Sequence, residues 1–176
     1  VLKVFLYPFL MMDIPVGNGL PDPYGGAEQA AYPWRGRITA HGSLPVAAQA
    51  AAFHDAEDGY RRFIRHYAGL AATAGGVDGF ILGSELRGLT VLRDGAGGFP
   101  FVQKLMALAG EVRGLLGPAA KLTYAADWSE YFGHHPADGS GDVFFHLDPL
   151  WAHPAIDAVG IDNYMPLSDW RDEDLA

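Results

Sequence analysis

The stretch Val77-Asp78-Gly79-Phe80-Ile81-Leu82-Gly83-Ser84-Glu85-Leu86 decides how this chain is read. An apolar run ends abruptly in small residues and one carboxylate, with a helix-like segment on either side. That pattern predicts a strand buried on both faces. Glu85 then falls at the C-terminal end of the strand, the face at which a βα barrel does its chemistry. Water lies in front of such a position and a low-dielectric barrel behind it, the kind of setting that holds a general acid.

Outward from this strand, strand-like and helical segments alternate. A first strand is expected from about Leu2 to Met12, ending at Asp13. A long Gly/Pro/aromatic loop follows, including Pro21-Asp22-Pro23-Tyr24-Gly25-Gly26 and Tyr32-Pro33-Trp34-Arg35-Gly36-Arg37. Loops of that length inside a compact domain are usually functional or poorly ordered. Val46–Phe53 is Ala-rich and predicted helical. Tyr60, Phe63, Ile64, Tyr67, Leu70, Ala71 and Ala74 repeat at helical spacing, and Gly75-Gly76 is a suitable stop. The second strand is Val77–Glu85. The next helix begins near Pro100, where the missing N–H costs nothing, carries an apolar stripe of Phe101, Leu105, Leu108, Val112, Leu115 and Leu116, and ends at Gly117-Pro118. A third strand, Lys121–Ala126, leads into Asp127-Trp128. A short helix or irregular segment is expected around Val143–Trp151, then a fourth strand, Ile156–Tyr164.

Repeated alternation implies parallel strands joined by right-handed crossovers. A doubly wound sheet and a βα barrel both fit. No Gly-rich phosphate loop follows any strand, and Gly17-Asn18-Gly19 lacks the third glycine of a dinucleotide site. All four predicted strands end in polar or aromatic residues: Asp13, Glu85, Asp127-Trp128 and Asp162-Asn163-Tyr164. Strand tips converging on one mouth select the barrel. The expected fold is therefore α/β, a partial (β/α)8 TIM barrel, in a single domain fragment over residues 1–176. A full barrel has eight strands and about 250 residues. The other half is expected either outside this sequence or from another chain, since open sheet edges invite pairing. The start, Val1–Tyr7, reads as a strand rather than a signal peptide. It is not Met, as expected of a piece of a longer protein.

Composition narrows the partners. The chain has 176 residues, 49% hydrophobic and 19% charged, and a formal charge of −9. That balance argues against nucleic acid and anionic membrane surfaces, both of which select Lys and Arg. It is compatible with neutral sugars. No cysteine is present, which excludes disulfides and thiolate metal sites. No apolar stretch approaches the length of a membrane span.

Hydrolysis of a glycosidic bond by the common route needs two carboxyl groups. Glu85 is the candidate acid/base; the competing role is a structural ion pair with Arg87 or Arg93. Asp13, Asp127 and Asp162 are candidate substrate contacts, although Asp is also a common turn and N-cap residue after a strand. Asn163 and Tyr164 extend the last cluster, and Tyr164 is placed to hydrogen-bond the reacting carboxylate. Trp34, Trp128, Trp151 and Trp170 flank the same strand ends. Their faces suit sugar rings, while packing beneath long loops is the alternative. His134-His135, His146 and His153 match no metal-ligand spacing and read as surface or supporting residues. Ser84 lacks a nucleophile-elbow pattern. Glu111–Arg113 and Asp169–Asp174 read as solvated faces. Neither a metal nor another cofactor is expected.

Taken in order, Gly83-Ser84-Glu85-Leu86, Leu122-Thr123-Tyr124-Ala125-Ala126-Asp127-Trp128 and Ile156–Leu167 resemble the TIM-barrel-like domain of gene transfer agent and phage tail host-specificity proteins. Tyr32-Pro33-Trp34-Arg35-Gly36-Arg37-Ile38-Thr39 resembles the loop after that family's third strand. The family is in turn similar to clan-A glycoside hydrolases of the β-mannanase type. The resemblance implies that these are strands three to six of eight, that Glu85 is the acid/base closing the fourth, and that the nucleophilic glutamate closes a seventh strand beyond Ala176. It also implies an inactive fragment whose parent acts by a retaining mechanism on a cell-envelope polysaccharide or peptidoglycan glycan. The expected setting is a virion or tail-like particle, alongside other tail or baseplate proteins. Ser84 stands where many clan-A members carry Asn, a departure at the sugar 2-OH contact. A chitinase-like Asp-Gly-x-Asp-x-Asp-x-Glu pattern is rejected, because Ile81 and Gly83 replace its two inner aspartates. A non-catalytic structural or glycan-binding module is the alternative from another class, and a histidine metallohydrolase the third.

Overall fold

The computed structural model describes residues 2–168. Four parallel strands form one sheet in sequential order: β1 (Phe5–Leu6), β2 (Gly79–Ser84), β3 (Lys121–Asp127) and β4 (Gly160–Asp162). Helices α1 (Val46–Asp55) and α2 (Tyr60–Thr73) lie between β1 and β2. Helix α3 (Arg87–Thr90) and the long α4 (Pro100–Leu116) connect β2 to β3, and α5 (Asp148–Trp151) precedes β4. Parallel neighbours joined by helical crossovers make this a mixed α/β, partial TIM-barrel-like fold.

The two central strands behave as an apolar run should. Phe80, Leu82, Leu122 and Tyr124 are fully buried, each such side chain contributing about 1.5–3 kcal/mol by leaving water. Helix α4 covers them with Phe101, Leu105, Leu108 and Val112, all at 0% exposure, from the stripe its spacing predicted. Gly75 and Gly76 stop α2 with φ of 102° and 96°. The Gly76 N–H closes the end on the Ala71 carbonyl at 2.9 Å, a left-handed turn that glycine adopts without steric cost.

Strand lengths depart from expectation. β1 is two residues rather than the run to Met12. Pro8 follows one residue after it, and a proline has no N–H to offer a neighbouring strand. β4 is three residues, Gly160–Asp162, rather than Ile156–Tyr164. The expectation missed α3 altogether, because four residues carry too little periodicity.

Polar groups fasten the strand starts. The Asp78 carboxylate accepts from Lys3 Nζ at 2.7 Å and from the Val4 N–H at 2.9 Å. Arg113, at the end of α4, donates to the carbonyls of Gly117 (2.8 Å), Ala120 (2.6 Å) and Ala155 (3.0 Å) and pairs with Asp157. Asp157 also accepts from the Leu122 N–H at 2.8 Å. Trp170 and the acidic run Asp169–Asp174 lie outside the described residues.

Candidate functional site

The pairing of β2 with β3 loses its regular register between Ile81 and Ser84. Past that irregularity Glu85 has φ of 51°, a left-handed backbone that is costly for a residue with a Cβ. Two hydrogen bonds hold the turn: the Glu85 N–H to the Ala125 carbonyl, and the Leu86 N–H to the Tyr124 hydroxyl, each at 2.8 Å. The bend aims the Glu85 side chain at the segment Trp34–Arg35.

That side chain is 3% exposed. Its Oε2 accepts from the Trp34 indole N–H at 2.6 Å and from Arg35 Nη2 at 2.9 Å. Its Oε1 is buried with no partner among the described residues. The ion pair is therefore with Arg35, and neither Arg87 nor Arg93 supplies it. Arg35 also donates to the Ser84 carbonyl at 3.1 Å and the Ser84 hydroxyl at 2.6 Å, and it lies 4.9 Å above the Phe9 ring. Ser84 in turn donates to Asp162 Oδ2 at 2.7 Å, an oxygen that the Tyr7 hydroxyl also reaches. Burial and the Asp162 charge push the Tyr7 phenol pKa well above its ordinary value. Residues at the ends of β1, β2 and β4 thus meet at the Asp162 carboxylate, and Arg35 links Ser84 of that group to Glu85.

Tyr164 stands beside this cluster, 64% exposed. The Glu85 carboxylate is the main cause of a raised Tyr164 pKa, although the phenol falls short of the geometry that would satisfy Oε1. Glu85, Trp34, Asp162 and Tyr164 therefore lie together. Asp13 does not sit at a strand tip, because β1 ends well before it; it is exposed on a loop cavity of about 490 Å³ that Trp34 and Arg35 also line. The Asn163 side chain accepts from the Met165 N–H at 2.9 Å and shapes an exposed turn. Trp128, 36% exposed, opens a 3-10 turn, Trp128–Glu130. Asp127 caps that turn: its side chain accepts from the Ser129 N–H at 3.1 Å, while Glu130 accepts from the Asp127 N–H at 3.0 Å. This reciprocal box is the N-cap role weighed for Asp127. Trp151 packs on Tyr124, with ring centroids 6.2 Å apart.

Tyr7 and Arg35 escaped the sequence reading. Tyr7 was hidden inside an overlong strand. Arg35 lay in a segment already singled out, and its signal was charge: a cation beside Trp34 in an acidic chain. His146 is buried against Glu130 at 3.2 Å, together with Thr90, and His54 is buried against Asp55 at 2.7 Å. Among the described residues no group of three His, Asp or Glu is placed to hold a metal, and no helix is long and apolar enough to cross a membrane.

No curated protein shows a significant match to the chain. The family model of the GTA (gene transfer agent) TIM-barrel-like domain matches residues 58–176, a stretch that contains β2, β3, β4 and Glu85 and begins after the Tyr32–Thr39 loop. Since that match spans most of the length and the parallel sheet agrees with it, the chain belongs to the GTA TIM-barrel-like domain family.

Proposed function

We propose that this domain engages a cell-envelope glycan at the strand-tip cluster and that Glu85 is the acid/base of a retaining glycoside hydrolase in the full-length protein. The observation that carries the reading is Glu85 itself, left-handed at φ 51° and holding a buried carboxylate oxygen without a partner. Neither feature helps a barrel to fold; strained backbone and unsatisfied buried polar atoms concentrate where a site is held ready. In the forward step Glu85 protonates the leaving oxygen while a second carboxylate of the full-length protein bonds to the anomeric carbon; Glu85 then takes a proton from the water that displaces this carboxylate and releases the sugar. Trp34, Trp128 and Tyr164 offer ring faces to the glycan, while Asp162 and Asn163 offer acceptors around it. The natural setting is a tail-like particle meeting the bacterial envelope, with other tail or baseplate proteins as neighbours.

One observation favours a second reading. Trp34 and Arg35 close over Glu85, as they would in a barrel that has kept its frame for adhesion and lost its chemistry. Turnover of peptidoglycan and envelope polysaccharides by the full-length protein separates the two. Under the first reading Glu85→Gln lowers turnover by about 10²–10⁴-fold, the usual share of a general acid/base, and leaves binding intact. Binding without turnover in the unaltered protein selects the glycan-binding module, and neither selects a structural one. Undiminished turnover in Glu85→Gln overturns the catalytic assignment.

A further inference from the structure

We propose that the segment Tyr32–Arg37 is a lid resting closed on Glu85, with Trp34 as its latch and a glycan hydroxyl as the group that replaces it. The proposal takes Glu85 to be the working carboxylate, as read above, but the test below does not depend on turnover. Four observations meet at this segment.

Glu85 is nearly sealed, at 3% exposure, although it stands at a strand tip. Two side chains of this one segment hold its carboxylate: the Trp34 N–H at 2.6 Å and Arg35 Nη2 at 2.9 Å. Among the described residues the closed arrangement satisfies only Oε2 and leaves Oε1 buried without a donor. A sugar hydroxyl is a donor of the kind that Oε2 loses when the indole leaves, and of the kind that Oε1 lacks throughout.

Both sides of the contact are held in unfavourable backbone. Tyr32 (φ 45°) and Glu85 (φ 51°) are the non-glycine residues with left-handed φ among those described. Tyr32 sits at the entry to the segment, its N–H held on the Ile14 carbonyl at 2.7 Å. The far end is anchored: Arg37 pairs with Asp22 at 3.2 Å and stacks 4.2 Å from the Tyr24 ring. Motion is thereby confined to Pro33–Gly36, with Tyr32 as its hinge.

The indole has somewhere to go. Trp34 and Arg35 line the open cavity of about 490 Å³ whose other walls include Leu10, Met12, Asp13 and Tyr32. In the closed pose the ring is folded back over Gly36, so closely that a Cβ at Gly36 would lie 2.3 Å from ring carbons. Gly36 is what lets the latch close. Swung outward, the same ring is a stacking face beside the exposed carboxylate.

Carbodiimide coupling of a small amine to accessible carboxylates, followed by peptide mass spectrometry on the full-length protein, reads the lid directly. In the unaltered protein Glu85 is expected to label at least about tenfold more slowly than the exposed Asp138, because labelling waits for local opening. Trp34→Ala and Gly36→Ala, which remove the latch and displace it respectively, should each speed Glu85 labelling by about tenfold and leave Asp138 unchanged. Gly36→Ala carries the test if Trp34→Ala fails to fold. Glu85 labelling that stays slow in both variants while both melt cooperatively overturns the proposal, as does labelling as fast as that of Asp138 in the unaltered protein. Normal lid behaviour with no protection of Glu85 by any envelope glycan upholds the lid and removes the glycan reading instead.

Discussion

Replacing Arg35 by Met keeps an apolar stem over Phe9 and removes the guanidinium that stands 2.9 Å from Glu85 and 2.6 Å from the Ser84 hydroxyl. At 2.9 Å and an effective dielectric of about 20, the gross attraction between the two charges is about 5–6 kcal/mol. Much of that is offset by the cost of taking both groups out of water. Breaking a buried pair from one side costs about 3–5 kcal/mol, because the remaining charge is stranded. Arg35 is still 16% exposed, so solvent screens part of the effect, and Arg35→Met is expected to cost about 2–3 kcal/mol. Glu85→Gln removes the charge but keeps an oxygen for the Trp34 N–H, and should cost about 1 kcal/mol. The double variant, with no stranded charge, should lie well below the sum of the two. Urea unfolding reads this as a fall in midpoint of about 1–2 M for Arg35→Met at unchanged slope, with most of it restored when Glu85→Gln is added. Costs that add to within about 0.5 kcal/mol would show that the two groups do not interact, and the closed arrangement over Glu85 would fall with that result.

Three further outcomes are expected. Burial holds the His54 pKa below its ordinary 6.5, against the opposing pull of Asp55. The folded protein therefore binds fewer protons there than the unfolded chain, and stability should fall as pH drops below about 6.5, with His134 acting in the same direction; a melting temperature that is flat or rising between pH 7.5 and 5.5 contradicts this. Gly83→Ala places a Cβ 2.0 Å from the Tyr60 hydroxyl, which donates to the Leu82 carbonyl at 2.8 Å, so the overpacked variant should lose about 1–3 kcal/mol on chemical unfolding. Asp127→Ala removes the cap of the 3-10 turn and should lower stability by about 1 kcal/mol, read as a shift in unfolding midpoint.

Burial of an apolar run does not depend on detail, which is why β2, β3, α2 and α4 were legible. Phe80, Leu82, Leu122 and the α4 stripe sit where their spacing put them. Length was harder at the sheet edges. Leu2–Met12 is as apolar as a strand, yet pairing requires N–H groups and a neighbour, and Pro8 interrupts after two residues. The site was legible by position and not by partner. Glu85 could be placed at the end of β2 because a strand has a direction, but Arg35 and Tyr7 come from segments whose distance in sequence carries no mark of their contact. Asp127 shows the opposite limit: a cap and a substrate contact use the same residue type at the same place, and only the Ser129 and Glu130 bonds reveal the cap.

Arg113, Asp157 and Asp78 tie the strand beginnings to one another and to the end of α4, while Glu85, Asp162 and Arg35 occupy the opposite rim. The clamp and the candidate site are thus vested in different ends of the same β-segments. Drift among the rim residues leaves the clamp untouched, so a lineage bearing this domain can alter what its rim presents without first reinventing a protein that holds together.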